Sequence, residues 1–159
     1  GNTVAQDRAQ VPALPDPNVA HTGRMAVLVV DDNPMALELM ASMGRSIGWD
    51  VDTAEDGEAA LARTSARLEQ GEPYGAVFMD WQMPGLNGTQ TWQRIRQLPL
   101  RLIPVCVLVS GSSGCPVDDI EKSGFADFIA KPVKLETLRA VLLKVLSNSI
   151  NNQSTQMSV

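Results

Sequence analysis

The sequence predicts an α/β fold, a parallel sheet with helices on both faces. Three observations carry that expectation. Short valine-rich apolar runs, MAVLVV at 25–30, GAVFM at 75–79 and IPVCVLV at 103–109, suit strands buried on both sides. Between them lie stretches with apolar residues at helical spacing. Several runs end in a polar residue followed closely by proline or glycine, which break regular structure.

The chain has 159 residues and 44% hydrophobic content, room for one domain with a sizeable core plus tails. Eighteen acidic against thirteen basic residues give a net charge of -5, which argues against a nucleic-acid surface on this chain. Cys106 and Cys115, with His21 the single histidine, suggest neither a zinc site nor a disulfide framework. There is no apolar run of membrane-spanning length and no signal-peptide pattern, so a cytoplasmic setting is expected.

Residues 1–24 hold Pro12, Pro15 and Pro17 among small and polar residues and read as a flexible linker. Because the chain opens on Gly1, it is expected to be a piece of a longer protein. Met25 to Val30 forms the first strand and ends in Asp31 and Asp32. Asn33 caps the first helix and Pro34 opens it, with Ala36, Leu39, Met40, Met43 and Ile47 as the expected inward stripe and Gly48 as its close. Val51 to Ala54 gives the second strand. Asp56 caps a helix with Ala59, Ala60, Leu61 and Leu68 facing inward.

Gly75 to Met79 is the third strand, delivering Asp80 to a turn built from Pro84, Gly85, Asn87 and Gly88. Thr89 to Gln97 is a helix stopped by Pro99. Ile103 to Val109 is the fourth strand, ending in Ser110 and Gly111. A short helix is expected within 112–123, where Pro116 can open it and Val117 and Ile120 mark its apolar face. Phe125 to Ala130 is the last strand, followed by Lys131 and Pro132. Leu135 to Leu146 is an amphipathic helix with Leu135, Leu138, Leu142 and Val145 on one stripe. The domain is placed at 25–147, with a polar tail at 148–159. Five strands alternating with five helices imply right-handed crossovers and a flavodoxin-like (βα)5 sheet of order 2-1-3-4-5.

Such a sheet gathers the residues at its strand ends on one rim: Asp31 and Asp32, Asp80, Ser110 and Lys131. Taken alone, Asp80 suits equally a carboxylate that accepts hydrogen bonds from the turn after it. Together, three clustered carboxylates need a divalent cation or a protonation event to offset their repulsion, and an all-oxygen site suits magnesium. A lysine and a hydroxyl beside them suit an incoming phosphoryl group. An enzyme using Asp80 as nucleophile would want a general acid two residues later, where Gln82 stands.

Over residues 26–146 the chain resembles the receiver domain of two-component response regulators. The acidic pair matches Asp31 and Asp32, the phosphoacceptor Asp80 within MDWQMPGLNG, the hydroxyl residue Ser110, and the lysine Lys131 in the AKP triplet. The resemblance implies Mg2+ held by Asp32, Asp80 and the backbone carbonyl of Gln82, with Asp31 acting through water. It implies phosphoryl transfer from phosphohistidine onto Asp80, and a cis bond between Lys131 and Pro132. It also implies an aromatic switch position at Phe128, acting with Ser110. The domain itself would not be a kinase.

The expected partner is a histidine kinase dimerisation and phosphotransfer domain or a histidine phosphotransfer protein. It would dock on Pro34, Met35, Glu38, Pro132 and Val133. The flanks favour a receiver cut from a hybrid histidine kinase, whose parent could be anchored in the inner membrane. A stand-alone response regulator, or an interaction module independent of phosphorylation, is the alternative.

Overall fold

The computed structural model describes residues 24–111, 120 and 122–144. Five strands form one parallel sheet: β1 (Ala26–Val30), β2 (Asp50–Ala54), β3 (Ala76–Asp80), β4 (Val105–Ser110) and β5 (Asp127–Ala130), in the order β2-β1-β3-β4-β5. This is the predicted 2-1-3-4-5 arrangement. Helices α1 (Pro34–Ile47), α2 (Gly57–Glu69) and α3 (Gly88–Arg96) follow β1, β2 and β3. A further helix, α4, runs over residues 135–144 after β5. The helix expected within 112–123 lies mainly outside the described residues. Among those residues no helix is long and apolar enough to cross a membrane.

Alternation along the strands splits the core in two, because successive side chains point to opposite faces. Val27, Val29, Phe78, Val107 and Ile129 meet Leu37 and Met40 of α1 and Leu138 and Leu142 of α4. On the other face Leu28, Val77, Met79 and Leu108 meet Ala60 of α2 and Trp92 and Ile95 of α3. Trp49 adds a stacked contact with Phe78, ring centroids 5.7 Å apart.

Local signals set the helix ends. The Asn33 side chain accepts from the backbone N–H groups of Met35 and Ala36, and Pro34 opens α1. Gly48 closes it at φ 111°, a left-handed conformation that favours glycine, with its N–H donating to Gly44 O and Arg45 O. Asp56 caps α2, and Asn87 with Gln90 forms a reciprocal capping box on α3.

Several expectations are corrected. The α1 stripe is rotated by about one residue: Leu37, Met40, Ala41 and Gly44 are buried, Leu39 is 54% exposed, and Ala36, Met43 and Ile47 are half-buried. Small Ala41 and Gly44 set that phase, since a Cβ on Gly44 would stand 2.9 Å from both Trp49 and Val51 side-chain atoms. On α2 the buried residues are Gly57, Ala60 and Thr64, the Thr64 hydroxyl donating to Ala60 O, while Ala59, Leu61 and Leu68 are half-buried.

β4 begins at Val105 rather than Ile103, which is 55% exposed. Pro104 has no N–H to give the ladder, and Val105 N makes a bond to Gly75 O. β5 begins at Asp127, with Phe125 buried just before it. Leu135 lies at the margin of α4 and is exposed; Val145 lies outside the described residues.

Candidate functional site

The C-terminal ends of β1, β3, β4 and β5 bring the predicted residues to one rim. Asp31 follows β1 and is buried, its backbone N–H donating to Ala54 O of the neighbouring strand. Asp32 is exposed at the head of the turn into α1. Asp80 and Ser110 are the last residues of β3 and β4, and both are buried. Lys131 follows β5, its N–H donating to Ser110 O, and its bond to Pro132 is cis.

One carboxylate oxygen from each of Asp31, Asp32 and Asp80 lies within 4.8 Å of the others. Lys131 Nζ stands 2.7 Å from Asp31 Oδ2 and 3.3 Å from Asp80 Oδ1. The other Asp31 oxygen accepts from Asn33 N at 2.9 Å. Asp31 is thus held from two sides, a charge-assisted arrangement that fixes its position. The site opens into a depression of about 520 Å³ whose wall includes Asn33, Gln82 and Gly111.

Burial pushes the Asp80 carboxyl up to about 6, and the negative charge of Asp31 adds to the rise; the Lys131 charge and hydrogen bond oppose it. For Lys131, burial acts to lower the pKa, but its hydrogen bond to Asp31 and the charges of Asp80 and Asp31 outweigh that and raise it overall. The Asp80 carboxylate is therefore a crowded, partly desolvated base beside a firmly charged ammonium. All-oxygen donors at this spacing fit a small hard cation, which would offset the same crowding.

The turn after Asp80 needs glycine at position 88. A Cβ there would collide with the Asp80 carbonyl oxygen and lie 2.9 Å from Trp81 Cα, and Gly88 N donates to Trp81 O. The start of α3 therefore packs directly on the backbone of the candidate nucleophile. Phe128, the expected switch residue, is half-buried against the core of the α2 and α3 face.

A second depression, about 350 Å³ and largely apolar, adjoins the first through Lys131. Ala36, Leu39 and Met40 of α1 form one side, and Pro132 and Val133 the other. Of the expected docking residues, Pro34, Met35, Glu38 and Pro132 are exposed, Met35 by 82%. Val133 is not an exposed tip: it is buried, packs into the core of the α1 and α4 face, and supplies groove floor. Sequence reasoning missed Leu39 and Ala36 as groove residues. The available signal was Leu39 lying one turn beyond Met35.

The family model of the response regulator receiver domain matches residues 27–143. The chain belongs to the response regulator receiver domain family. This receiver is 32% identical over 132 residues to hybrid signal transduction histidine kinase L of Dictyostelium discoideum, covering 80% of the chain and 8% of that protein. It is also 32% identical over 134 residues to the sensor histidine kinase GacS of Pseudomonas protegens, covering 82% of the chain and 14% of the kinase. The chain thus spans a small part of these relatives.

Among solved structures, a CheY-like receiver domain from Methylobacillus flagellatus aligns with TM-score 0.66 and 26% identity, covering 77% of this chain and 98% of that one. The CheX-CheY-BeF3-Mg+2 complex from Borrelia burgdorferi aligns with TM-score 0.69 at 24% identity, covering 80% and 93%. The receiver is similar to those of hybrid sensor kinases, in keeping with a phosphoacceptor role in a phosphorelay.

Proposed function

We propose that this receiver takes a phosphoryl group from a phosphohistidine onto Asp80, as a module of a hybrid histidine kinase. The observation that carries the reading is the placement of Asp80 between two other carboxylates and the Lys131 ammonium, 3.3 Å away. An Asp80 oxygen attacks phosphorus, the bond from phosphorus to the imidazole nitrogen breaks, and the electron pair leaves with the imidazole. Lys131 and the Ser110 hydroxyl hold the transferred oxygens.

Asp32, Asp80 and the Gln82 backbone carbonyl would hold Mg2+, with Asp31 acting through water. When bound, the ion would offset negative charge on the phosphoryl oxygens. Phe128 and Ser110 would serve as the paired switch positions. The partner, a phosphotransfer domain or protein, would dock along α1 and the loop after Lys131, with exposed Met35 and the Leu39–Pro132 groove giving an apolar patch beside a charged rim. A cytoplasmic setting suits such a partner.

The test is labelling by acetyl phosphate with Mg2+, followed by mass spectrometry. One added phosphoryl group on the parent chain and none on Asp80→Asn is expected. A label that persists on that variant would place the nucleophile elsewhere.

A further inference from the structure

We propose that Arg45 and Arg63 close the outer edge of β2 to pairing with β2 of a second copy of this chain. β2 is an outermost strand of the sheet, bonded on one side to β1. Asp50 N donates to Met25 O and Ala54 O accepts from Asp31 N, so the even-numbered residues of β2 turn their backbone groups inward. Val51 and Thr53, alternating with them, turn theirs outward. An edge with two free carbonyls in register is a template for strand addition.

Both carbonyls are filled. Arg45, in the last turn of α1, donates from a terminal guanidinium nitrogen to Val51 O at 3.1 Å. Arg63, in the middle of α2, donates from Nε to Thr53 O, also at 3.1 Å. The two side chains come from opposite faces of the sheet, since α1 and α2 pack on different cores. An incoming strand must displace both charged donors before it forms a ladder bond.

The side chains of β2 reinforce the closure. A pair of β2 strands related by a twofold axis and running antiparallel would set Val51 opposite Thr53, and Asp52 opposite the Asp52 of the second copy. Like charges directly opposed weaken such a pair, and because Arg67 already offsets each Asp52 this contribution is secondary to the two arginine donors. Asp52 is held in place by the Tyr74 hydroxyl, which donates to it at 2.6 Å, and by Arg67 at 3.7 Å.

The test is sedimentation velocity of the full chain and of an Arg45→Met/Arg63→Met variant across a wide concentration range. Methionine keeps an apolar stem and removes the donors. The substitutions also make the chain more negative, so bulk repulsion between copies rises and works against association. A control, Arg101→Met/Arg139→Met, makes the same charge change away from β2.

The expected result is a dimer that grows with concentration in the edge variant and exceeds that of parent and control, with slowed hydrogen exchange at the Val51 and Thr53 amides in the dimer. An edge variant that associates no more than the parent overturns the proposal. So does association that leaves those two amides unprotected. Should the double variant fail to fold by circular dichroism, the single variants decide: each opens one carbonyl, and two folded single variants as monomeric as the parent refute the closure.

Discussion

The Lys131 ammonium lies 2.7 Å from the Asp31 carboxylate across 100 residues of sequence, joining the ends of β1 and β5 over the candidate nucleophile. One cation is shared between two buried carboxylates. Removing it leaves both carboxylates without the cation they share, and breaking a buried pair costs several kcal/mol. Lys131 is partly open to solvent, so Lys131→Met should destabilise the metal-free chain by about 1–3 kcal/mol near neutral pH. Urea denaturation measures it, and a loss below a few tenths of a kcal/mol would show that solvent already screens the site.

Asp80 makes stability depend on pH. Its folded-state pKa, near 6, lies above the ordinary carboxylate value of 3.8, so the folded state binds this proton more tightly than the unfolded one. The Asp80 contribution to stability is therefore fullest below about pH 4 and is lost as pH rises through 6. Asp80→Asn should stabilise the metal-free protein above pH 6, by on the order of 2–3 kcal/mol, with the gain shrinking toward pH 4. Thermal melts at several pH values, in chelator, check the sign.

Magnesium should reverse part of that penalty. Binding to the folded state alone raises stability by RT ln(1 + [L]/Kd), about 2.7 kcal/mol at a hundredfold excess over Kd. The parent chain should gain thermal stability with Mg2+, and Asp32→Asn should lose most of the gain along with calorimetric affinity. Equal affinity in parent and variant would remove Asp32 from the ligand set.

The groove should separate two phosphodonors. Leu39→Asp, or Met35→Asp on the same helix, should slow transfer from a phosphohistidine protein at least several-fold while leaving the acetyl phosphate rate unchanged, because the small donor needs no protein surface. Loss with both donors would mean the substitution damages the site itself.

Gly88→Ala tests the packing of α3 on the Asp80 backbone. The added methyl group meets backbone atoms that cannot swing away, so a loss of roughly 1–3 kcal/mol is expected together with slower phosphorylation. A variant of parental stability and rate would show that the turn relaxes freely.

The candidate site's placement was legible because each of its residues stands where an apolar run stops. Asp31, Asp80, Ser110 and Lys131 interrupt or follow strands whose parallel order leaves one rim for all of them. The phase of α1 was not legible. Counting large side chains favoured Leu39 and Met43 for the interior, whereas a helix lying close to a sheet buries its small residues, here Ala41 and Gly44. The strand limits near Ile103 and Phe125 were missed because apolar character does not mark ladder bonds: Ile103 is exposed ahead of Pro104, which has no N–H to give, and Phe125 is buried with its N–H donating to Ile120 O outside the ladder.

That rotated helix has a consequence for how recognition can change over time. The anchoring of α1 rests on Leu37, Met40, Ala41 and Gly44, while Met35, Glu38 and Leu39 project from the opposite side. Substitutions among the projecting residues leave the core untouched and so alter stability little. If α1 docks the phosphodonor as proposed, a lineage exchanges one donor for another by drift along this single helix, with the residues around Asp80 preserved throughout.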